Sequence, residues 1–359
     1  MLAYGAPRMA SRFVSLQTVR LWVPGLLRSQ LTARARPRTA WVTICDHFEP
    51  LWGRPDAATA QARVQRWRRS WPEIAARHSD SAGRPPQYAF FYPEEEYRPE
   101  YLEPLAELAR AGISDVEVHL HHDADTPAGF TEKIEGFTRT LSRDHGLLRV
   151  HGGKIAFGFI HGNWALDNAR PDGRWCGLND EITLLNRLGC YADFTLPAAP
   201  DPSQAGPVNE IYDVTDDPQR PRSHANGRPV RAGSPRGDLT LITGPLGISF
   251  PRGLRPQLEN GDLASYRPPA PHRVRAWLSL APRIGEHAFI KLFAHGAQEA
   301  NARCLLDGGL DLVFRELAAL CRAKSLSLRY VTPWEMWGVV ECLREGKEPD
   351  LARSDRRPE

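Results

Sequence analysis

The stretch DVEVHLHHDADTP (residues 115–127) alternates apolar and polar side chains and then passes into a polar loop. In a β-strand alternate residues share a face, so Glu117, His119 and His121 point to one side and the apolar residues between them point to the other. In α/β proteins the apolar face packs against helices, and the acidic and imidazole groups then face the middle of the fold. The stretch therefore predicts a strand that carries its chemistry on the inner face.

Short apolar runs of the same kind recur along the chain, and helical patterns separate most of them. They cover residues 40–45, 88–92, 116–121, 154–160, 191–196, 238–242, 288–294 and 326–331. The alternation of strands and helices favours parallel strands joined by right-handed crossovers. Seven or eight such units in roughly 300 residues predict an α/β fold, specifically a distorted (β/α)7–8 barrel in a single domain.

The composition divides the chain into three segments. Residues 1–39 form a basic lead-in, residues 40–345 hold the predicted barrel, and residues 346–359 form a charged tail. Within the barrel, residues 198–237 are dense in Pro, Gly, Asp and Ser. Because strand patterns resume after this segment, we interpret it as a Pro/Gly-rich insertion beside the barrel rather than a linker between domains.

Charge, cysteine content and hydropathy exclude several classes of protein. The formal net charge of the 359 residues is +3 and the basic residues are scattered, so no nucleic-acid partner is expected. The six cysteines show no Cys-x-x-Cys pair, which favours free thiols and a cytoplasmic location. No run of about 20 apolar residues predicts a transmembrane helix. Residues 13–27 are weakly apolar and basic, so a weak contact with a membrane surface stays an alternative. The sequence does not indicate the oligomeric state.

The histidines of the opening stretch fall where a metal site is expected. His119 and His121 lie near the carboxyl end of the third strand, and Asp123 and Asp125 follow in the loop. Barrel enzymes place their active sites at this end of the strands. Imidazole and carboxylate groups are suitable ligands for Zn²⁺ or a similar divalent ion. The alternative is a pair of hydrogen-bonded core histidines followed by solvated acids.

Three further strand ends carry titratable or polar residues. They are Asp46, His47 and Glu49 in TICDHFEP; His161, Asn163 and Trp164 in GFIHGNW; and His295 in KLFAHG. Each residue alone could be a helix cap or a structural histidine. Four such strand ends meeting at one edge of a sheet favour a functional site over packing.

The order of these clusters resembles that of the polysaccharide deacetylases of carbohydrate esterase family four, which fold as a distorted (β/α) barrel. The first motif of that family, Thr-Phe-Asp-Asp, is similar to the TICD segment, where Asp46 stands at the metal-binding Asp and Cys45 at the catalytic base. The second motif has two histidine ligands four residues apart, which places ligands at His121 and Asp125. His119, next to them on the same strand, is a rival to Asp125 as the third ligand.

The remaining motifs follow in the same order. FIHGNW lies where the family has an Arg-x-Pro substrate loop, without the arginine. GCYADFTLP is similar to the strand that carries a charge-tuning Asp, here Asp193, and LFAHG to the Leu-His motif whose histidine, here His295, protonates the leaving group. The resemblance covers about residues 41–337 apart from the insertion, and it is strongest to divergent members from bacterial polysaccharide clusters.

The resemblance implies a Zn²⁺-dependent hydrolase of non-peptide carbon–nitrogen bonds, which removes acetyl groups, most readily N-acetyl, from a sugar or polysaccharide precursor. It implies metal ligands among Asp46, His121, Asp125 and His119, and catalytic roles for Asp46, His295 and Asp193. The carbohydrate would contact His161, Asn163, Trp164 and Tyr191, the two aromatic rings by stacking. Because Cys45 occupies the base position, Asp46, His47 or Glu49 must serve as base.

Two alternatives stay open at this point. A barrel that binds carbohydrate without catalysis would explain Cys45 at the base position and the missing arginine. A metal hydrolase of the amidohydrolase type would explain the His119-Leu120-His121 pair, although amidohydrolases carry that pair on the first strand and here it lies on the third.

Overall fold

The fold is a mixed α/β arrangement around one large, mostly parallel sheet of 13 strands. The computed structural model describes residues 16–32, 35–250 and 256–351. Residues 1–15 of the predicted lead-in and 352–359 of the predicted tail lie outside the described residues.

The strands are β1 (Thr39–His47), β2 (Tyr88–Pro93), β3 (Ser114–Leu120), β4 (Arg149–His151), β5 (Lys154–His161), β6 (Cys190–Asp193), β7 (Ile211–Val214), β8 (Arg228–Pro229), β9 (Leu239–Ile242), β10 (Gly247–Ser249), β11 (Gln257–Glu259), β12 (Asp262–Leu263), β13 (Arg283–Ile284), β14 (His287–Ala294) and β15 (Ser327–Tyr330). The helices are α1 (Leu16–Leu31), α2 (Ala57–Ala76), α3 (Pro99–Arg110), α4 (Pro127–His145), α5 (Glu181–Leu188), α6 (Pro271–Leu280), α7 (Glu299–Cys304), α8 (Leu310–Ala323) and α9 (Pro333–Arg344). Short 3-10 turns cover Glu94–Glu96, Gly162–Trp164, Leu166–Asn168 and Ser223–Ala225, and a π-turn covers Leu305–Gly309.

All of the apolar runs predicted as strands form strands, and each pairs in parallel with a neighbour. The central order is β14-β1-β2-β3-β5-β6-β9, and β15 pairs with the amino-terminal half of β1. The predicted α/β class with parallel pairing is therefore confirmed. The Pro/Gly-rich insertion is more ordered than expected, because it supplies β7 and β8, which extend the sheet in antiparallel fashion beyond β9.

The sheet curves strongly. Lys291 extends from β14 and its Nζ donates to Phe194 O at 2.5 Å and Leu196 O at 2.8 Å, just after β6, although five strand pairings separate β14 from β6. Gly244, just after β9, lies against β14, since a Cβ there would stand 2.6 Å from Lys291 O. Within the described residues these regions meet through side-chain and loop contacts rather than a strand ladder, so the packing does not by itself amount to a closed barrel.

The two faces of the sheet differ as the alternation along β3 predicts. Val116, Val118 and Leu120 join the apolar core beneath the flanking helices. The concave face holds a second apolar cluster, which includes Cys45 and Phe91 and is covered by α9. Glu117 and His119 lie on this concave face, where both are fully buried.

Local signals set the helix ends near the functional edge. Thr126 caps α4, its hydroxyl accepting from Gly129 N at 3.1 Å, and Pro127 occupies the first helical turn, where a missing N–H costs nothing. Thr332 and Glu335 form a capping box at the start of α9. These caps set where the helices that follow β3 and β15 begin.

The amino-terminal helix packs on the insertion. Trp22 of α1 is buried with Ala199, Val208 and Leu246. In the part of the chain that the structure describes, no helix has both the length and the apolar character needed to cross a membrane. Each of the six cysteines is a free thiol.

Candidate metal centre

Side chains at the carboxyl ends of β14, β1 and β3 converge in what we call the rim cluster: His47, Glu49, His119, His121 and His295. The ligand atoms of Glu49, His119 and His121 lie within 4.8 Å of one another, and so do those of His47, Glu49 and His295. Glu49 belongs to both groups and is the centre of the cluster.

Strand register brings these residues together. β1 and β14 pair through Asp46 and Ala294, so His295 follows directly beside His47. Alternation turns His47 and His119 to the concave face, and their ring centroids lie 5.1 Å apart. The centroid of His47 lies 4.7 Å from that of His295, and the centroids of His119 and His121 are 4.6 Å apart. The four imidazoles therefore form a continuous row along the rim.

The carboxylate of Glu49 faces two imidazole nitrogens. Glu49 Oε1 lies 3.4 Å from His119 Nε2 and 3.5 Å from His121 Nε2. His119 Nδ1 lies 2.8 Å from Ile160 O, and a carbonyl oxygen only accepts, so Nδ1 carries the proton and Nε2 presents its lone pair to Glu49. His119 Nε2 and the Glu49 carboxylate are then two acceptors that face each other, an arrangement that a cation completes, so these residues fit a divalent metal.

A second carboxylate orients His121. His121 Nδ1 lies 2.5 Å from Glu95 Oε1, the carboxylate–histidine pairing that holds metal-binding imidazoles in place. Burial lowers the pKa of His121, but the charges of Glu95 and Glu49 outweigh it and raise this pKa to about 9. Burial raises the pKa of Glu49, but the adjacent imidazoles of His119 and His121 lower it to about 2. The carboxylates thus create a field that favours positive charge at the rim.

His47 and His295 differ in their surroundings. His47 is buried, and burial together with the neighbouring His295 and His119 holds its pKa well below the ordinary range, so its ring is neutral. His295 is half-buried at the mouth of the site. A neutral imidazole beside a more exposed one is an arrangement suited to proton transfer in both directions.

The structure places Asp46 on the other side of β1 from His47. Its Oδ1 accepts from Gly296 N at 2.7 Å and its Oδ2 from Tyr88 Oη at 2.8 Å. Burial raises the pKa of this carboxyl to about 6. Asp46 is therefore not grouped with His119 and His121, although it was expected among the metal ligands. Its contacts instead fix the turn that carries His295.

Cys45, at the expected base position, is fully buried on the concave face. Burial raises the pKa of its thiol to about 12, so the thiol keeps its proton and is not suited to act as a base.

A separate group, the helix-side cluster, lies across β3 and consists of His122, His161, Cys176 and Glu181, all buried. The ligand atoms of these four residues lie within 4.8 Å of one another. The predicted residues Asp125 and His161 belong to this neighbourhood and not to the rim: Asp125 Oδ2 lies 3.3 Å from His122 Nδ1 and 2.6 Å from Lys133 Nζ. Burial lowers the pKa of His161 to about 3.

The remaining predicted residues lie apart from both clusters. Asp193 accepts from Thr195 N at 3.0 Å and Thr195 Oγ1 at 2.7 Å, and burial raises its pKa to about 7. Tyr191 donates to Glu117 Oε1 at 2.6 Å and packs against Trp337 beneath the concave face.

Asn163 and Trp164 lie in the turn after β5, where both are half-buried. Trp164 packs against the helix-side core. The structure thus brings His119, His121 and His295 to the rim and distributes the other predicted residues around it.

Four functional candidates were missed in the sequence: Glu95, His122, Cys176 and Glu181. Glu95 stands in the Glu94–Glu96 turn directly after β2, and acids at the end of an apolar strand were a usable signal. Cys176 and Glu181 meet the histidines only through a long irregular loop, and no local pattern marks them.

A scan of the chain against models of protein families found no match, and a search of curated proteins found no relative either.

Proposed function

We propose that this chain is a metal-dependent hydrolase of the polysaccharide deacetylase type, with the curved sheet as a distorted barrel of that kind. The observation that carries the proposal is the row of His47, His119 and His121 around Glu49, with His295 on the adjoining strand end. A metal group and a proton-transfer pair at one strand edge are the two components that hydrolysis of an acetyl group requires.

Glu49, His119 and His121 are the proposed ligands, and Glu95 orients His121 from outside. Two imidazoles and a carboxylate match the donor set of catalytic zinc sites, so Zn²⁺ is the proposed ion. When bound, such an ion polarises a carbonyl and lowers the pKa of water. In this proposal Glu49, and not Asp46 as the family resemblance implied, is the carboxylate ligand of the metal.

His47 and His295 carry the proton in the proposed reaction. His47 is neutral and buried, so its free nitrogen can accept a proton from attacking water. His295 is more exposed and lies beside it, so it can give a proton to the departing amine or alcohol of the sugar. Asp46 contributes by holding Gly296, and with it the His295 turn, in place.

The rim cluster keeps some contact with solvent. The side chains of His121 and Glu49 are each 10% exposed, and that of Glu95 is 26% exposed. Catalytic zinc sites keep one position open in this way, whereas structural sites are closed.

The test is acetate release by the purified full-length protein from N-acetylglucosamine oligomers, with acetylated xylan as the ester substrate. Wild type loaded with Zn²⁺ is expected to release acetate from at least one of them. His295→Ala should abolish turnover and keep the rim metal, while His121→Ala should lose both turnover and the rim metal. His272→Ala, a substitution on α6 away from the rim, is the matched control.

Failure of wild type to bind a divalent ion would overturn the proposal. Bound metal without acetate release from either polymer would also overturn it in its deacetylase form.

A further inference from the structure

We propose that the helix-side cluster is a second metal site, of structural type, which binds Zn²⁺ through His122, His161, Cys176 and Glu181. The site is distinct from the rim cluster, because His121 and His122 point to opposite faces of the chain at the end of β3. A metal ion bound there would hold the irregular loop between β5 and α5 against the end of the sheet.

The four side chains offer four donors, the number that a structural zinc site uses. Glu181 Oε1 lies 3.1 Å from His122 Nε2 and 3.4 Å from His161 Nε2, and Cys176 Sγ lies 3.4 Å from Glu181 Oε2. Two imidazoles, a thiol and a carboxylate are the donor types that Zn²⁺ prefers. The side chains of His122, His161 and Glu181 are fully buried, as expected of a closed structural site and unlike the open rim cluster.

The hydrogen bonds around the histidines leave their other nitrogens directed at the centre. His161 Nδ1 lies 2.6 Å from Gly162 O, so this nitrogen carries the proton and Nε2 presents a lone pair. That Nε2 is buried without a hydrogen-bond partner. It faces Glu181 Oε1, another acceptor, and two acceptors facing each other in a buried position call for a cation between them.

Outer contacts hold His122 and Glu181 in the same way. His122 Nδ1 faces Asp125 Oδ2, which Lys133 Nζ contacts at 2.6 Å, so a carboxylate orients the second imidazole. Glu181 Oε2 accepts from Asp167 N at 2.6 Å, which fixes the carboxylate from the loop side. Orienting contacts of this kind usually accompany metal ligands.

The thiol of Cys176 donates to Glu181 Oε2 at 3.4 Å and to Leu178 O at 3.5 Å, so its S–H is directed at another residue of the cluster. Its Sγ accepts from Asn168 N and Leu178 N, each at 3.4 Å. Backbone N–H groups directed at sulfur stabilise the negative charge of a thiolate, the form of cysteine that binds metals. Leu178 N belongs to the second residue after Cys176, so the turn that carries the cysteine also supplies a donor.

The loop that the site would hold has an unusually strained backbone. Between Gly162 and Gly177, five residues other than glycine have positive φ: Asn163, Trp164, Asp167, Asn168 and Trp175. For Trp164 and Trp175 such a conformation costs on the order of 1 kcal/mol each and persists only where other contacts impose it. A metal that joins Cys176 in this loop to His122 and His161 at the strand ends is such a constraint.

The test is the metal content and the cobalt spectrum of the full-length protein. Wild type is expected to bind two divalent ions per chain, and His121→Ala and Cys176→Ser should each bind one. With Co²⁺ in place of zinc, wild type and His121→Ala should show the near-ultraviolet charge-transfer absorption of a cobalt–thiolate bond. Cys176→Ser should lack that absorption, and Cys304→Ser, which alters a thiol outside both clusters, should keep it.

Cobalt-loaded wild type without a thiolate absorption would overturn the proposal, and this measurement holds even if Cys176→Ser does not fold. A single ion per chain that disappears in His121→Ala would overturn it as well. Because the rim cluster contains no cysteine, loss of rim metal alone leaves the thiolate absorption in place, so failure of the proposed hydrolase is seen separately.

Discussion

The imidazole of His121 packs directly against Gly162, where a Cβ would stand 2.3 Å from His121 Cδ2. Gly162 follows His161, whose side chain belongs to the helix-side cluster, whereas His121 belongs to the rim cluster. The backbone at this turn therefore sets the position of a rim residue from the other side. This contact couples the two clusters.

Replacing Gly162 by Ala should displace His121 and weaken the rim site. The added Cβ would also stand 2.8 Å from Leu120 O, which cannot move without disturbing β3. We expect a loss of about 1–3 kcal/mol in the free energy of unfolding and a fall of at least about tenfold in metal affinity. Denaturant unfolding and zinc titration measure the two effects.

Gly136→Ala is the matched control, since a Cβ at Gly136 in α4 would meet no atom within 4 Å. It should stabilise the protein by about 1 kcal/mol and leave metal affinity unchanged. Equal metal affinity in Gly162→Ala and wild type would contradict the coupling.

Glu95→Gln tests the orientation of His121. The amide keeps the shape of the side chain but removes the charge that faces His121 Nδ1 at 2.5 Å. We expect metal affinity to fall about 10- to 100-fold, because the carboxylate orients a metal ligand. Glu94→Gln changes a charge in the same turn and is the control. Similar metal affinities for the two variants would exclude the orienting role.

Substitutions of Asp46 test whether this residue is a metal ligand or a positioning residue. Its carboxylate accepts from Gly296 N and Tyr88 Oη, so Asp46→Ala leaves two buried donors without partners and should cost about 1–3 kcal/mol. We expect kcat to fall on the order of tenfold or more through His295, while the metal content stays at the wild-type value. Asp46→Asn can still accept from Gly296 N and should keep most of the activity. Metal loss in both variants would instead make Asp46 a ligand.

Local periodicity predicted the parts of the structure that depend on neighbouring residues. Alternation along residues 115–121 placed Glu117, His119 and His121 on one face, and the structure shows this arrangement. The same rule applied to β1 places Asp46 with Ile44 and Phe48 on the helix side, as found. The expected ligand role of Asp46 came from the resemblance of its motif, not from strand geometry.

Contacts between distant segments could not be predicted in this way. Glu95 meets His121 because β2 and β3 pair in a particular register and a 3-10 turn follows β2. Nothing within the three consecutive glutamates distinguishes Glu95 from its neighbours. Cys176 reaches His122 only through the irregular loop, whose path depends on tertiary contacts and has no periodic signal.

Lys291, which links β14 to the chain just after β6, should make the stability of the protein depend on pH. Lys291 is fully buried, and burial lowers its pKa from 10.5 to about 8. Between these values the unfolded chain binds more protons than the folded chain, so stability rises as pH increases from about 8 towards 10.5. The full rise is on the order of 3 kcal/mol. Denaturant unfolding at pH 7 to 10 measures it.

Lys291→Met should lack this rise, because methionine does not titrate. Near pH 7 two effects oppose each other in the variant: the buried charge is removed, but Phe194 O and Leu196 O lose the Lys291 donor. The advantage of wild type over the variant should therefore grow steadily above pH 8, where the neutral amine still donates to both carbonyls. Lys324→Met, at an exposed position after α8, should follow wild type throughout. Parallel curves for wild type and Lys291→Met would show that Lys291 keeps an ordinary pKa despite its burial.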